Sequence, residues 1–363
     1  MLRFDHCSAI GWRLAAMLDR LDPGTHRRIK GLRLVTAFGL AAMLATVPGI
    51  AHGRGMLLGT LAAGFALWAS VSEARSTRYE SARDLTLLCL AAGAGAASFA
   101  ILARWLGSGW AELILVSGCF CVGYLKRFGV LGGGIGSQVF IGQLLAYGAT
   151  VVITDLGTVT LAVALAILAS VVPRMLSGPA EQPASAVQSL ENENDPITPE
   201  FVMGLQAAVA ALAIVMLGKF VGLTQSAWAI TACTYVVANT TAGTIDRIKR
   251  RIAGTLVGVP LALACLPFAP QMPLLIWAVA AIAMIVYAMA LPERYDIACG
   301  AYAFALVVTM AATGEYTLAT LTARAWETLI GGALGVAVVL LLDPLPRLFQ
   351  RPLQPNRQSR DVS

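Results

Sequence analysis

Between Ser177 and Pro199 the chain reads SGPAEQPASAVQSLENENDPITP. Serine, proline, asparagine and glutamate dominate it, and no apolar period runs through it, so it reads as a polar linker. Long apolar runs stand on both sides. A membrane-spanning helix needs roughly 20 mostly apolar residues. Upstream, six runs meet that requirement, at 31–51, 55–73, 84–106, 109–125, 130–153 and 156–174. Downstream there are six more, at 200–220, 226–244, 250–268, 272–291, 296–313 and 322–342. The linker therefore divides the chain into two halves of six spans each.

Composition agrees with a membrane chain. Of the 363 residues, 58% are hydrophobic and only 13% charged, and the mean hydropathy is +0.74. A soluble surface needs more charge than this. The formal charge of +6 comes in short basic clusters between apolar runs. That distribution suits anionic lipid head groups and gives no nucleic-acid module. The first 21 residues carry Arg3, Asp5, Arg13, Asp19 and Arg20, so they lack the uncharged core of a signal peptide. They read either as an interfacial helix or as a loose cytoplasmic tail. Six of the seven cysteines lie inside apolar runs and read as small packing residues, without a disulfide framework or a metal site. His6, His26 and His52 lie outside the runs, and no Walker motif occurs, so neither a cofactor nor enzymatic chemistry is expected.

Charge asymmetry sets the orientation. With the N-terminus cytoplasmic, the tails and even-numbered loops hold 22 of the 26 Lys and Arg residues; Arg54, Arg104, Lys219 and Arg324 fall outside. Miscounting by one span would scramble that bias. The expected fold is an all-α integral membrane protein of about twelve transmembrane helices, with both termini cytoplasmic. Its expected parts are an N-terminal segment (1–30), a first membrane half (31–176), the linker (177–199), a second membrane half (200–344) and a basic tail (345–363). Six is even, so the halves run in the same direction as parallel repeats. Gly31-Leu32 in one corresponds to Gly204-Leu205 in the other, Arg83 to Arg251, and Val172-Pro173-Arg174 to Asp343-Pro344.

The second half holds the informative residues. A basic loop, Asp246 to Arg251, is expected before its third span. Arg251, Gly254, Thr255 and Gly258 follow at i, i+3, i+4 and i+7 and share one helix face. Gly254 and Gly258 make a seam of small residues that admits a second helix closely. Arg324, Glu327, Thr328 and Gly331 recur in the last span, with Gly335 one turn on. Charged groups inside spans are costly and mark function or an ion pair. Two readings stand for Arg324 and Glu327: a substrate-binding cation beside a proton carrier, or a pair that lowers the cost of burying both. Two stand for Arg251: an entry for anions, or a snorkelling anchor. Thr255 and Asn239 complete the candidate pathway. Gln138 and Gln143 read as bonds between helices, and Trp228 and Tyr302 either stack on an aromatic substrate or anchor helix ends.

Trp228-x-x-Thr231, Arg251-x-x-Gly254-Thr255-x-x-Gly258 and Arg324-x-x-Glu327-Thr328-x-x-Gly331 together resemble the fusaric acid resistance protein family. That family is related to aromatic acid exporters and, more distantly, to plant malate channels. The resemblance covers about residues 200–342. The first half shares the helix count and Arg83 but has Leu85-Thr86 near the place of the Gly-Thr pair. Many members carry large cytoplasmic domains, where this chain has the short linker and a tail. The resemblance implies a bacterial inner-membrane permease that exports aromatic or other organic acids, driven by protons and working with a periplasmic adaptor. Lipids are further expected partners, and a homo-oligomer is compatible with this. A passive organic-anion channel and a non-transporting component of an envelope complex are the competing readings.

Overall fold

The computed structural model describes residues 26–51, 55–74, 77–177, 199–221, 226–237, 240–268, 271–291, 293–313 and 318–342. Expectations for the N-terminal segment, the interior of the linker, the tail and Asn239 lie outside these residues. The described residues form twelve α-helices and no strand. The first half holds α1 (His26–Ala51), α2 (Gly55–Ser72), α3 (Arg78–Leu106), α4 (Glu112–Tyr124), α5 (Gly129–Gly148) and α6 (Leu156–Leu176). The second holds α7 (Pro199–Val221), α8 (Ser226–Val236), α9 (Thr241–Cys265), α10 (Pro273–Ala290), α11 (Tyr295–Thr313) and α12 (Leu318–Leu342).

Among the described residues, six stretches are long and apolar enough to cross a membrane: His26–Pro48, Arg78–Leu106, Glu112–Gly148, Ile153–Leu176, Pro199–Val221 and Ala242–Phe268. Met56–Ser72, Leu274–Ala290, Tyr295–Ala311 and Trp326–Leu342 are shorter apolar helices. The chain is thus a multi-pass helical membrane protein. The Glu112–Gly148 stretch divides at Gly129, whose φ of 75° is open to glycine and strained for other residues.

Helix boundaries depart from the hydropathy reading where polar residues cap. The expected loop Asp246–Arg251 is helical. The Thr240 side chain accepts a hydrogen bond from the Gly243 amide at 3.1 Å and starts α9 ahead of the basic cluster. Asp246 and Arg250 then pair at i, i+4, 2.9 Å apart. In the same way Thr77 caps α3, accepting from the Glu80 amide and donating to the Glu80 carboxylate, so Arg78 and Arg83 are helical too.

Helices in a bilayer gain little from the hydrophobic effect and depend on close packing of small residues. Here α3 and α5 approach through Gly95 and Gly142; a Cβ on either would strike the opposing backbone at Val139 or Ala92. In the second half α9 and α11 meet the same way, through Gly254 and Gly258 against Asp296 and Gly300. Within the first half α1 packs on α2 and α6, α3 on α5 and α6, and α5 on α4. The second half shows α7 on α8 and α12, α9 on α11 and α12, and α11 on α10. The most extensive contacts between the halves are α4 with α7 and α1 with α10. Gly204 closes the first against Phe120 and Tyr124, and Gly31 the second against Ile285. One apolar core fills the first half, a second joins α4 and α5 to α7, α8 and α12, and a third lies among α9, α10 and α11.

Candidate functional site

Arg251 lies in the third turn of α9. Its Nη1 donates to the Tyr295 hydroxyl of α11 at 3.4 Å, and its buried Nε has no hydrogen-bond partner. Tyr302 and Cys299 of α11 and Tyr235 of α8 are within its electrostatic reach. Gly254 and Gly258 explain why Arg251 lies against α11. They draw α9 onto α11 until Gly254 touches Gly300, and Arg251 shares that helix face. Thr255, on the same face, is 7% exposed.

Around this arginine the two halves interlock through rings and hydroxyls. Trp68 of α2 meets Tyr302 edge to face at 5.4 Å and Tyr287 of α10 at 6.3 Å. Tyr287 and Tyr302 lie 5.9 Å apart. From the other side, Tyr235 shares a 2.7 Å hydrogen bond with Ser137 of α5 and packs on Phe140 at 6.0 Å. The result is a cage of phenols and one indole beside a guanidinium, with both halves contributing. Phenol hydroxyls and guanidinium groups donate hydrogen bonds, and the ring faces stack; together they suit a planar organic anion.

Glu327 is fully buried on α12. It precedes Gly331 by one turn, and Gly331 rests on the Ala229 carbonyl of α8, so Glu327 faces α8. Gly335 follows against Val236 and Cys233 of the same helix. Ile248 of α9 touches Gly332, which brings Arg251 to within about one helical turn of the level of Glu327. Arg324 belongs to α12, but its side chain lies outside the described residues, as Asn239 does entirely. Trp228 is half-buried in α8. Gln138 donates to Ser72 at 3.1 Å, and Gln143 to Ser117 at 3.1 Å, both between helices.

Residues 210–338 match the family model described as fusaric acid resistance protein-like. No curated protein and no solved structure matches the chain. The fusaric acid resistance-like segment runs from within α7 almost to the end of α12 and contains Arg251, Glu327 and four of the cage tyrosines. Trp68 and Ser137 lie outside it, on the half that interlocks with it.

The sequence reading missed Trp68, Tyr235, Tyr287, Tyr295 and Ser137. For all but Tyr295, which falls just before the run at 296–313, the signal was polarity inside an apolar run, which packing residues share. The same reading counted Arg33 and Arg174 with the basic residues of the cytoplasmic segments, and the structure shows that both are buried in the first bundle. Arg174 is 1% exposed, and its Nε donates to Glu73 Oε1 at 2.9 Å. The same oxygen accepts the Ser81 hydroxyl, and Arg33 Nη2 stands 3.9 Å from Glu73 Oε2.

Proposed function

We propose that this protein is an inner-membrane permease that exports aromatic or other organic acids in exchange for protons. The observation that carries the reading is the half-buried Arg251, whose buried Nε has no hydrogen-bond partner, beside a ring cage built by both halves. The family match at 210–338 supports transport, and the stacking surfaces of Trp68, Tyr287 and Tyr302 support an aromatic cargo.

In this mechanism Arg251 binds the cargo carboxylate, Tyr295 and Tyr302 orient it, and Trp68 covers its ring. Thr255 and Asn239 line the path. Glu327, at about the same depth, takes and releases the coupling proton, with Arg324 one turn away on α12 tuning it. Twelve spans with both termini cytoplasmic are part of the proposal, and so is a parallel repeat of two six-helix halves. The repeat is supported by helix pairings that recur six helices later, and by the reciprocal crossings of α4 on α7 and α10 on α1. Alternating access follows if the two halves rock about the cage. A periplasmic adaptor as partner rests on the family resemblance alone.

The test is efflux of a panel of aromatic carboxylates from a deletion strain complemented with wild type, Arg251→Gln or Glu327→Gln, with and without an uncoupler. The reading expects uncoupler-sensitive efflux and loss of it in both variants. Flux that ignores the uncoupler and survives Glu327→Gln identifies a passive anion channel instead. No flux of any organic anion from purified protein in liposomes points to a non-transporting membrane component.

A further inference from the structure

A groove runs along one side of the second half, between α9, α10 and α11, and encloses about 460 Å³. That volume lies in the range of pockets that hold small molecules. Gly254, Gly258 and Gly300 bring only backbone to its lining, so a trench forms where α9 and α11 touch. Val257 and Leu261 of α9, Val286 of α10, and Ile297 and Phe304 of α11 form its apolar sides. Asp296, at the start of α11, is the only ionisable residue lining it. From Ala253 to Leu261 the groove follows α9 for about 12 Å.

The α9 side of the groove belongs to a stretch long and apolar enough to span a membrane, Ala242–Phe268, yet Val257 is 61% exposed and Leu261 57%. Lipid tails are as apolar as these side chains and meet them there. One end of the groove is cationic. Arg250, Ala253, Val257 and Leu261 stand at i, i+3, i+7 and i+11 and share one helix face, so Arg250 continues the α9 side towards the basic cluster. Lys249 also stands one turn before Ala253, and Arg294 precedes Asp296 by two residues. All three cations are exposed. The carboxylates at this end already face guanidinium groups: Asp246 with Arg250 at 2.9 Å, Asp296 with Arg294 at 3.5 Å, and Glu293 with Arg27 at 2.7 Å. Lys249 adds to that matched set, so the mouth is net positive. A phosphodiester complements it. A second copy laid over the groove by a two-fold axis along the membrane normal would instead bring the same cations together.

We propose that this groove binds an anionic phospholipid, with one acyl chain along Val257 and Leu261 and the phosphodiester at Lys249, Arg250 and Arg294. Bound there, the lipid braces α10 against α9 and α11. Because α10 also packs on α1, membrane composition then bears on the contact between the halves.

The test uses the purified, delipidated full-length chain without substrate, so it stands or falls independently of export. Native mass spectrometry follows retention of added phosphatidylglycerol and of phosphatidylcholine with the same acyl chains. Wild type should retain one phosphatidylglycerol per chain, roughly tenfold more than phosphatidylcholine. Arg250→Gln combined with Arg294→Gln should erase that preference. Ala283→Trp, which fills the groove, should lower retention of both lipids. Equal retention of the two lipids by wild type overturns the proposal, as does phosphatidylglycerol retention unchanged in either variant. A dimer that Ala283→Trp dissolves makes a second copy the occupant and overturns it as well. Should the variants fail to fold, wild type is crosslinked to phosphatidylglycerol carrying a diazirine on its acyl chain. Labelling concentrated at 253–261 and 296–304 supports the groove, and labelling spread evenly over the apolar helices overturns it.

Discussion

Trp68 and Tyr302, one from each half of the chain, meet edge to face with their ring centroids 5.4 Å apart. An aromatic pair of this kind contributes about 0.5–1.5 kcal/mol beyond its buried area. If the cargo ring replaces or joins this contact, Trp68→Ala should raise the half-saturation of efflux by roughly three- to tenfold, while Trp68→Phe keeps most of the affinity. The check is the concentration dependence of uncoupler-sensitive efflux. Unchanged half-saturation in Trp68→Ala would place the cargo elsewhere.

Gly258 offers a prediction about assembly. A Cβ there would collide with the Gly300 carbonyl oxygen, a backbone atom that cannot rotate away. Gly258→Val should therefore push α9 off α11 and disturb the Arg251–Tyr295 contact, whereas Gly39→Ala, with open space at its Cβ, should be neutral. The yield of monodisperse protein in detergent distinguishes the two outcomes.

Glu73 and Arg174 form a pair that is costly to break from one side. Their separation is 2.9 Å, with side chains 5% and 1% exposed. Removing one partner leaves a buried charge uncompensated, at a cost of about 3–5 kcal/mol. Glu73→Gln should lower the melting temperature sharply. The double change Glu73→Leu with Arg174→Met should lower it less, because it removes both charges together. A double variant no more stable than the single one would contradict the pair.

Arg27 and Glu293 join α1 to the turn after α10 at the molecular surface. Arg27 grips the carboxylate through two nitrogens, at 2.7 and 3.3 Å. Hydrogen bonds from Arg27, and then its charge, hold the Glu293 carboxyl below the usual carboxylate range. The folded value lies below the unfolded one, near about 4.3. The contact therefore stabilises the fold above that pH, and its contribution disappears as pH falls through the folded value. Glu293→Gln should lose less melting temperature than wild type between about pH 6 and about pH 3, and added salt should shrink the difference. Equal losses at low salt would show that the contact does not contribute.

How much was legible differs between elements and contacts. Each run named from hydropathy contains or overlaps a helix, and the one at 226–244 takes in α8 and the start of α9, because apolarity over about 20 residues is a local sum. Boundaries slipped where a single side chain intervened, as Thr240 did in extending α9 back through the basic cluster. The Gly254 and Gly258 face was readable from its spacing, since helical period fixes which residues share a side. That Gly300 would be its partner was not, because glycine is frequent in every span. Arg33 and Arg174 stand at span ends and entered only the charge count, so their burial beside Glu73 was not readable from their place in the chain.

The sequence by itself determined that this is a multi-pass helical membrane protein, with a polar break at 177–199 and a motif-bearing second half. Those properties depend on composition and period along the chain. Only the tertiary structure decided which polar groups meet. Glu73 and Arg174 are 101 residues apart and Trp68 and Tyr302 lie in different halves, yet each pair is in contact. The reason is that helix packing, set by close glycine approaches and volume across several helices at once, chooses partners that no local pattern encodes.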